Sequence, residues 1–309
     1  MSADASPDRP RRLAAVVVNH KTPADTALAV RSLLASERGL DAIVVVDNDS
    51  TADLRATART WGERVQYAHT GRNLGFAGGA NVGVRAALDG GADAVFLLNS
   101  DAEVSPSCVG RLDQALQAAE SVGMTAPLLL TREDATVVAS AGIDYDTHTG
   151  RMRERHVGRR LDAVDTAPGE RTAASGCALL VARGTWQRVG LFDERYFFGF
   201  EDIDFCLRAR AVGIRTLLVD GAVAYHQGGG TLAPTSSRRF YFAARNHLLL
   251  AHDHRGGGPV AGLVRPFTVA TLNIAHALTS AGGSRAGKLR ATLRGISDYL
   301  AGRTGEPSI

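Results

Sequence analysis

LLNSDAEVSP, residues 97–106, closes an apolar run that begins near Ala94 with Asn99, Ser100 and Asp101, and Glu103 follows. Asn, Ser and Asp are all turn formers, so the stretch by itself reads as a turn. At the carboxyl end of a parallel strand the same residues stand where open α/β sheets bind ligands, and they offer oxygen donors to a metal ion or a phosphate. The flanking sequence decides between the two.

Upstream, LAAVVVNH (13–20), AIVVVDN (42–48) and VQYAHT (65–70) are short, apolar and β-branched, the pattern of strands buried on both faces. Helical segments separate them. Thr22 suits an N-cap, Pro23 the first turn and Asp25 the positive end of the dipole, and Gly39 can end that helix. A second helix is expected from about Thr51 to Trp61, with Ser50 as its cap. A third follows the glycine-rich turn and runs to about Asp89. The alternation predicts an α/β fold, a Rossmann-like, mostly parallel sheet with helices on both faces. Right-handed crossovers then gather VNH, VDNDS, GRNLGFAGGAN and NSDAE on one rim. Four polar breaks converging there favour a ligand site over four unrelated turns.

Beyond residue 106 the pattern changes. VVASAGIDYDTHTGRMRERHVG (137–158) suggests a hairpin around Thr149 and Gly150. An aromatic loop containing Tyr196, Phe197, Phe198 and Phe200 runs into a helix that starts with Glu201, Asp202 and Asp204. A strand-like run ends at His226 before three glycines. The tail, 238–309, reads as a helical extension. Its segment PVAGLVRPFTVATLNIAHALTS is moderately apolar but broken by Arg265, Pro266, Asn273 and His276. Leu289, Leu293, Ile296 and Leu300 then form one helical stripe flanked by Arg285, Lys288, Arg290 and Arg294. Such a stripe either packs on the protein or lies on an anionic membrane surface.

The bulk numbers exclude several classes. A net charge of +3 over 309 residues is too small to argue for nucleic acid. Cys108, Cys177 and Cys206 are scattered and odd in number, which argues against a disulfide framework or a zinc cluster and fits a reducing, cytoplasmic compartment. No Gly-Lys-Ser/Thr and no G-x-G-x-x-G after the first strand occur, which weakens ATPase, kinase and dinucleotide-binding readings. GRNLGFAGGANVG is nonetheless glycine-rich before a helix, where backbone N–H groups can approach a phosphate. Asp47 either starts an Asx turn or accepts a hydrogen bond from a pyrimidine or ribose. A carboxylate beside apolar rings, as at Glu201 and Asp202, can have its pKa raised toward that of a useful base.

Taken in order, VVVNHKTPADTALAVRSL, VVVDNDS, RNLGFAGGANVG, LLNSDAEV, SGCALLVARGTWQRVGLFDERYFFGFEDIDFCLRARAVG and YHQGGG resemble the family 2 glycosyltransferases, an inverting group with the GT-A fold. With YFAARNHLLL, the chain looks most like the rhamnosyltransferase branch. Residues 1–12 read as a disordered arm, and the resemblance implies a catalytic domain over 13–237. Within that domain, 13–105 would bind the nucleotide and 106–237 the acceptor. The helical extension, 238–309, is expected to associate with a membrane or a partner, with membrane-surface contact through 284–302. In the implied site, Asp47 contacts the donor base, and Asn19, Asn73, Gly75, Asn81, Asn99 and Ser100 line the nucleotide and pyrophosphate pocket. Asp101 and His226 hold Mg²⁺ or Mn²⁺, Asp202 is the base, and Glu201 binds the acceptor or shares that role. Asn99 departs from the Asp-x-Asp pattern, and an amide supplies no formal charge to the metal.

The implied reaction moves a sugar from a nucleotide diphosphate to an acceptor hydroxyl, with dTDP-L-rhamnose the first expectation and a UDP-hexose the second. The acceptor is a glycan, a lipid-linked sugar or a small molecule, and the expected location is cytoplasmic or peripheral at the inner face of the plasma membrane. Two other readings compete. A nucleotidyltransferase would want a glycine-rich loop after the first strand, which VVVNHKTP lacks. A non-catalytic nucleotide-sugar binder has Asn99 as its support.

Overall fold

The computed structural model describes residues 11–48, 54–228 and 235–307. Most of the expected arm, together with Asp49, Ser50 and 51–53, lies outside the described residues. Arg11 and Arg12 are not part of a loose arm. The Arg12 backbone N–H donates to Asp93 at 2.8 Å, and the Arg11 guanidinium lies 3.6 Å from Asp113.

In chain order the elements are β1 (Leu13–Asn19), α1 (Pro23–Leu34), β2 (Ala42–Asp47), α2 (Arg55–Ala58), β3 (Val65–His69), α3 (Gly75–Asp89), β4 (Ala94–Asn99), β5 (Ala102–Val104), α4 (Cys108–Gln117) and β6 (Val122–Thr131). They continue with β7 (Val138–Ser140), β8 (Ile143–Tyr145), β9 (Met152–Glu154), β10 (Gly169–Arg171), β11 (Ala178–Ala182), α5 (Arg183–Val189), α6 (Glu201–Ala211), β12 (Arg215–His226), α7 (Ser237–Asp253), α8 (Pro259–Thr279) and α9 (Arg285–Leu300).

The main sheet runs β10-β12-β6-β11-β4-β1-β2-β3, with β5 on β12 and β7 on β6. It is parallel from β3 to β4 and mixed beyond, because β11 enters antiparallel between β4 and β6. Alternation explains why the first strands are apolar throughout. Ala14, Val16 and Val18 face a core shared with α3 and α6, while Leu13, Ala15 and Val17 face one shared with α1 and α4. Helices therefore cover both faces, and polar groups are left to the strand ends.

Several local expectations change. The side chain of Thr22 does not cap α1; its hydroxyl lies against Ser100, 3.0 Å away, and the Thr22 N–H donates to Asn19 Oδ1 instead. The helix stops at Leu34, before Gly39. The expected second helix shrinks to one short α turn and a 3₁₀ turn over the described residues. The hairpin around Thr149 and Gly150 forms from β8 and β9.

The helical extension is present, with an unexpected internal arrangement. Helix α8 continues through Pro266, and Arg265 turns inward, donating to the carbonyls of His148, Ala251 and Gly256. Asn273 donates to His247 Nδ1 at 3.0 Å, and His247 Nε2 donates to the Gly150 carbonyl at 2.7 Å. Burial lowers the His247 pKa to about 4, so the ring is neutral and can do both. In α9 the predicted stripe packs only in part, with Ile296 against Leu248, Ala251 and Val269. Lys288, Thr292, Gly295 and Asp298 are buried toward α7, and Leu293 and Leu300 are exposed. Polar groups win that face because α7 offers partners: Tyr241 donates to Asp298 at 2.7 Å, and the Lys288 ammonium sits over the Phe240 ring.

Gly295 sets the approach of α7 and α9. A Cβ there would lie 2.4 Å from the Tyr241 carbonyl oxygen. Gly295→Ala is expected to force the helices apart and cost about 1–3 kcal/mol, measured as a lower denaturant midpoint. An unchanged midpoint would show that this packing is loose.

Candidate functional site

The chain winds outward through β1, β2 and β3 and then returns to place β4 on the other side of β1. This reversal opens a crevice at the carboxyl ends of β1 and β4, the position where open α/β sheets bind ligands. The hydroxyls of Thr22 and Ser100 share a hydrogen bond there, 3.0 Å apart.

The rim beside the crevice is a closed hydrogen-bond network. Asn19 and Asp47 are wholly buried, and the Asn19 amide donates to Asp47 Oδ1 at 2.8 Å. The other Asp47 oxygen accepts from the Tyr67 hydroxyl at 2.9 Å and the Leu54 N–H at 3.2 Å. The carboxylate expected to meet a nucleotide base is thus engaged on both oxygens within the protein. Asn48, which the sequence reading passed over, joins the strand to the glycine-rich turn. It donates to the Gly75 carbonyl and accepts from the Leu74 N–H. Asn73 accepts from the Gly75 N–H at 2.9 Å. Gly75 has φ of 73°, and a Cβ there would lie 2.3 Å from the Phe197 carbonyl oxygen, so only glycine fits. Asn81 is buried nearly two turns into α3, where it donates to the Phe192 carbonyl and Glu194 and accepts from the Phe192 N–H. It ties α3 to the loop that leads to the acidic helix.

A second group gathers at the end of β4. Asp101 Oδ1 and His226 Nε2 are 3.3 Å apart, although 125 positions of sequence separate them. The pairing of β5 with β12 brings them together, and the Gln227 N–H donates to the Asp101 carbonyl at 3.0 Å. Burial works against charge on His226, but Cys177 and the Asp101 carboxylate outweigh it and raise its pKa to about 11. Asn99 Oδ1 is buried and has no hydrogen-bond partner. With the His226 ring deprotonated by the incoming ion, a carboxylate, an imidazole and an amide oxygen would suit a hard divalent cation that shares its remaining positions with substrate oxygens. Among the described residues no three His, Cys, Asp or Glu side chains form a closed metal cage.

The acidic pair abuts this group through one stretch of backbone. Asn99 N–H donates to the Cys177 carbonyl at 2.8 Å, and the preceding Gly176 N–H donates to Asp202 Oδ2 at 2.8 Å. Asp202 Oδ1 accepts from the Ile203 N–H at 2.8 Å. Glu201 lies deeper, 5% exposed, with Oε2 buried and unpartnered. Burial raises the pKa of both carboxyl groups; Glu201, which also feels Asp202, reaches about 8. Glu154, on β9, was not singled out in the sequence; desolvation and then the Asp202 charge raise its pKa, while Arg239 and His226 oppose the rise.

The aromatic loop is held by α7. Phe197 and Phe200 have φ of 61° and 77°, a conformation that side chains other than glycine rarely adopt. Asn246 donates to the carbonyls of Tyr196, Phe198 and Gly199, and Arg245 donates to those of Arg195 and Tyr196. These contacts over-determine the strained turn that starts α6. Tyr196 and Phe197 are core residues; Phe198 and Phe200 are the two rings left partly open.

A family model described as "Glycosyltransferase like family 2" matches residues 10–248. The chain is 26% identical over 249 residues to the low-salt glycan biosynthesis hexosyltransferase Agl10 of Haloferax volcanii, covering 78% of this chain and 76% of that one. It is 28% identical over 244 residues to the N-acetylglucosaminyl-diphospho-decaprenol L-rhamnosyltransferase of Mycobacterium tuberculosis, covering 72% and 78%. In fold it is similar to a solved mannosyltransferase of Pyrobaculum calidifontis in complex with GDP-Man and Mn²⁺. There the TM-score is 0.59 at 14% identity, with 95% of this chain and 88% of that chain covered.

Glu201 keeps its proton in the folded protein over a range in which the unfolded chain has lost it. Its contribution to stability is complete below the ordinary value of 4.5 and is lost as pH rises through about 8. Denaturant unfolding between about pH 5 and 9 is expected to show stability falling with pH, and Glu201→Gln to flatten that fall. An equally steep fall in the variant would assign the slope to other groups.

Proposed function

Because this chain belongs to glycosyltransferase family 2, we propose that it is an inverting enzyme that transfers L-rhamnose from dTDP-L-rhamnose to an acceptor hydroxyl. One observation carries the reading: Asn99 and Asp101, Asp202, and His226 meet beyond the end of β4 from three separate parts of the chain. Relatives with hexosyl- and rhamnosyltransferase names support the sugar class.

Asp202 takes the proton of the acceptor hydroxyl. The freed oxygen forms a bond to the anomeric carbon while the bond from that carbon to the diphosphate breaks on the opposite face, inverting the centre. The electron pair leaves with the nucleoside diphosphate. Asp202 is suited to this because its two backbone N–H donors fix its orientation and burial raises its proton affinity. Mg²⁺ or Mn²⁺ held by Asp101 and His226 would supply positive charge to the leaving diphosphate. Asn99 adds an uncharged oxygen to that set. Ser100 and the glycine-rich turn would supply hydroxyl and backbone N–H donors to the diphosphate.

Titration calorimetry with dTDP, UDP and GDP, each with and without Mn²⁺, tests the donor half. The expected result is selective dTDP binding that Mn²⁺ tightens in the wild type and not in Asp101→Ala. UDP selectivity would move the donor to a UDP-hexose, and no nucleotide binding would remove the reading. For the acid–base half, Asp202→Asn is expected to lower turnover by about 10²–10⁴ with nucleotide affinity kept. Unchanged turnover would show that another group takes the proton.

A further inference from the structure

Helix α8 is turned inside out. Its polar residues Arg265 and Asn273 are buried, together with Val269 and Ala277, at a spacing of four. Its opposite face carries Val260, Leu263, Val264, Phe267 and Leu278, all exposed. Val260, Leu263 and Phe267 are 76%, 71% and 71% exposed. The offsets of three, four and seven place them on one stripe of the helix. Helix α8 has 21 residues and one charged side chain, Arg265, which points inward. A soluble helix normally sets its charges outward, so this face is built for an apolar environment.

The surrounding charge identifies that environment. Residues 254–297 contain no aspartate or glutamate and six cationic side chains. Lys288 and Arg265 are buried, and Arg255, Arg285, Arg290 and Arg294 are exposed at the head of α8 and along α9. An apolar stripe in an acid-free, arginine-bearing segment is complementary to a bilayer with anionic headgroups. A second copy of the chain fits less well, because a two-fold contact would set arginines against arginines. No helix among the described residues is long and apolar enough to cross a membrane.

We propose that the outer face of α8 docks on an anionic membrane surface, with Val260, Leu263, Val264 and Phe267 entering the headgroup region and the arginines of α9 meeting its charge. This moves the expected membrane contact from the α9 stripe to α8. It does not depend on the proposed transfer reaction, and its test needs neither donor nor acceptor.

The full chain is floated with vesicles of phosphatidylcholine alone or mixed with phosphatidylglycerol, in low and high salt. Leu263→Asp/Phe267→Asp and Val260→Asp/Val264→Asp are run beside the wild type, with circular dichroism and thermal midpoints confirming that each folds. Sedimentation equilibrium without lipid reports self-association. Expected is binding to the phosphatidylglycerol vesicles that weakens with salt and falls by at least about tenfold in either double variant. Arg285→Glu/Arg290→Glu is expected to lose most of its preference for anionic over neutral vesicles. Wild type that floats with neither vesicle would overturn the proposal. So would binding unchanged in both folded double variants, or a dimer that those variants dissociate in place of vesicle binding.

Discussion

The strands β1, β2 and β4 are buried on both faces, and this leaves them no place for a polar side chain except their ends. The position of the site follows from that. Asn19, Asp47 and Asn99 each close a strand, and the return of the chain from β3 to β4 opens the crevice between the first and last of them. A single polar residue within β1 would lose a core contact on one face or the other. The apolar runs and the polar rim are therefore one constraint seen from two sides.

Two kinds of polar residue occupy that rim. Asn19, Asp47, Asn48 and Asn81 satisfy one another and the neighbouring backbone, and they make the rim rigid. Asn99 and Glu201 carry buried oxygens with no partner, and Asp101, Asp202 and His226 lie beside them. Unmet polar groups cost stability and persist where a ligand meets them. The division separates residues that build the frame from those free to act on a substrate. It also explains the strained aromatic turn: Arg245 and Asn246 reach from α7 to fix the carbonyls of 195–199, so the helix beyond the family-like strands sets the direction of α6 and its two carboxyl groups.

The C-terminal helices show how tertiary context can reverse a pattern. In α9 the most apolar stripe is buried only in part, because Tyr241 and the backbone of α7 supply partners for Asp298 and Lys288 lies over Phe240, while Gly295 permits close approach. In α8 the guanidinium of Arg265 finds three carbonyls inside and the apolar side chains are left outside. Hydrogen bonding of an otherwise costly charge decided the orientation of both helices.

The sequence by itself determined the alternation of buried strands and helices, the convergence of polar breaks on one rim, and the family, because a period of two with both faces apolar and a set of ordered motifs are local properties. The nearness of Asp101 to His226 came from strand pairing across 125 positions, and that of Asp202 to Gly176 from a side-chain hydrogen bond across 26. The inward turn of Asp47 and Asn81 was equally hidden, since an Asp or Asn at a strand or helix end reads the same whether its partner is a ligand or a backbone amide. Tertiary structure alone decided which polar groups were satisfied within the protein, because hydrogen bonding depends on who the neighbours are and not on the residue type.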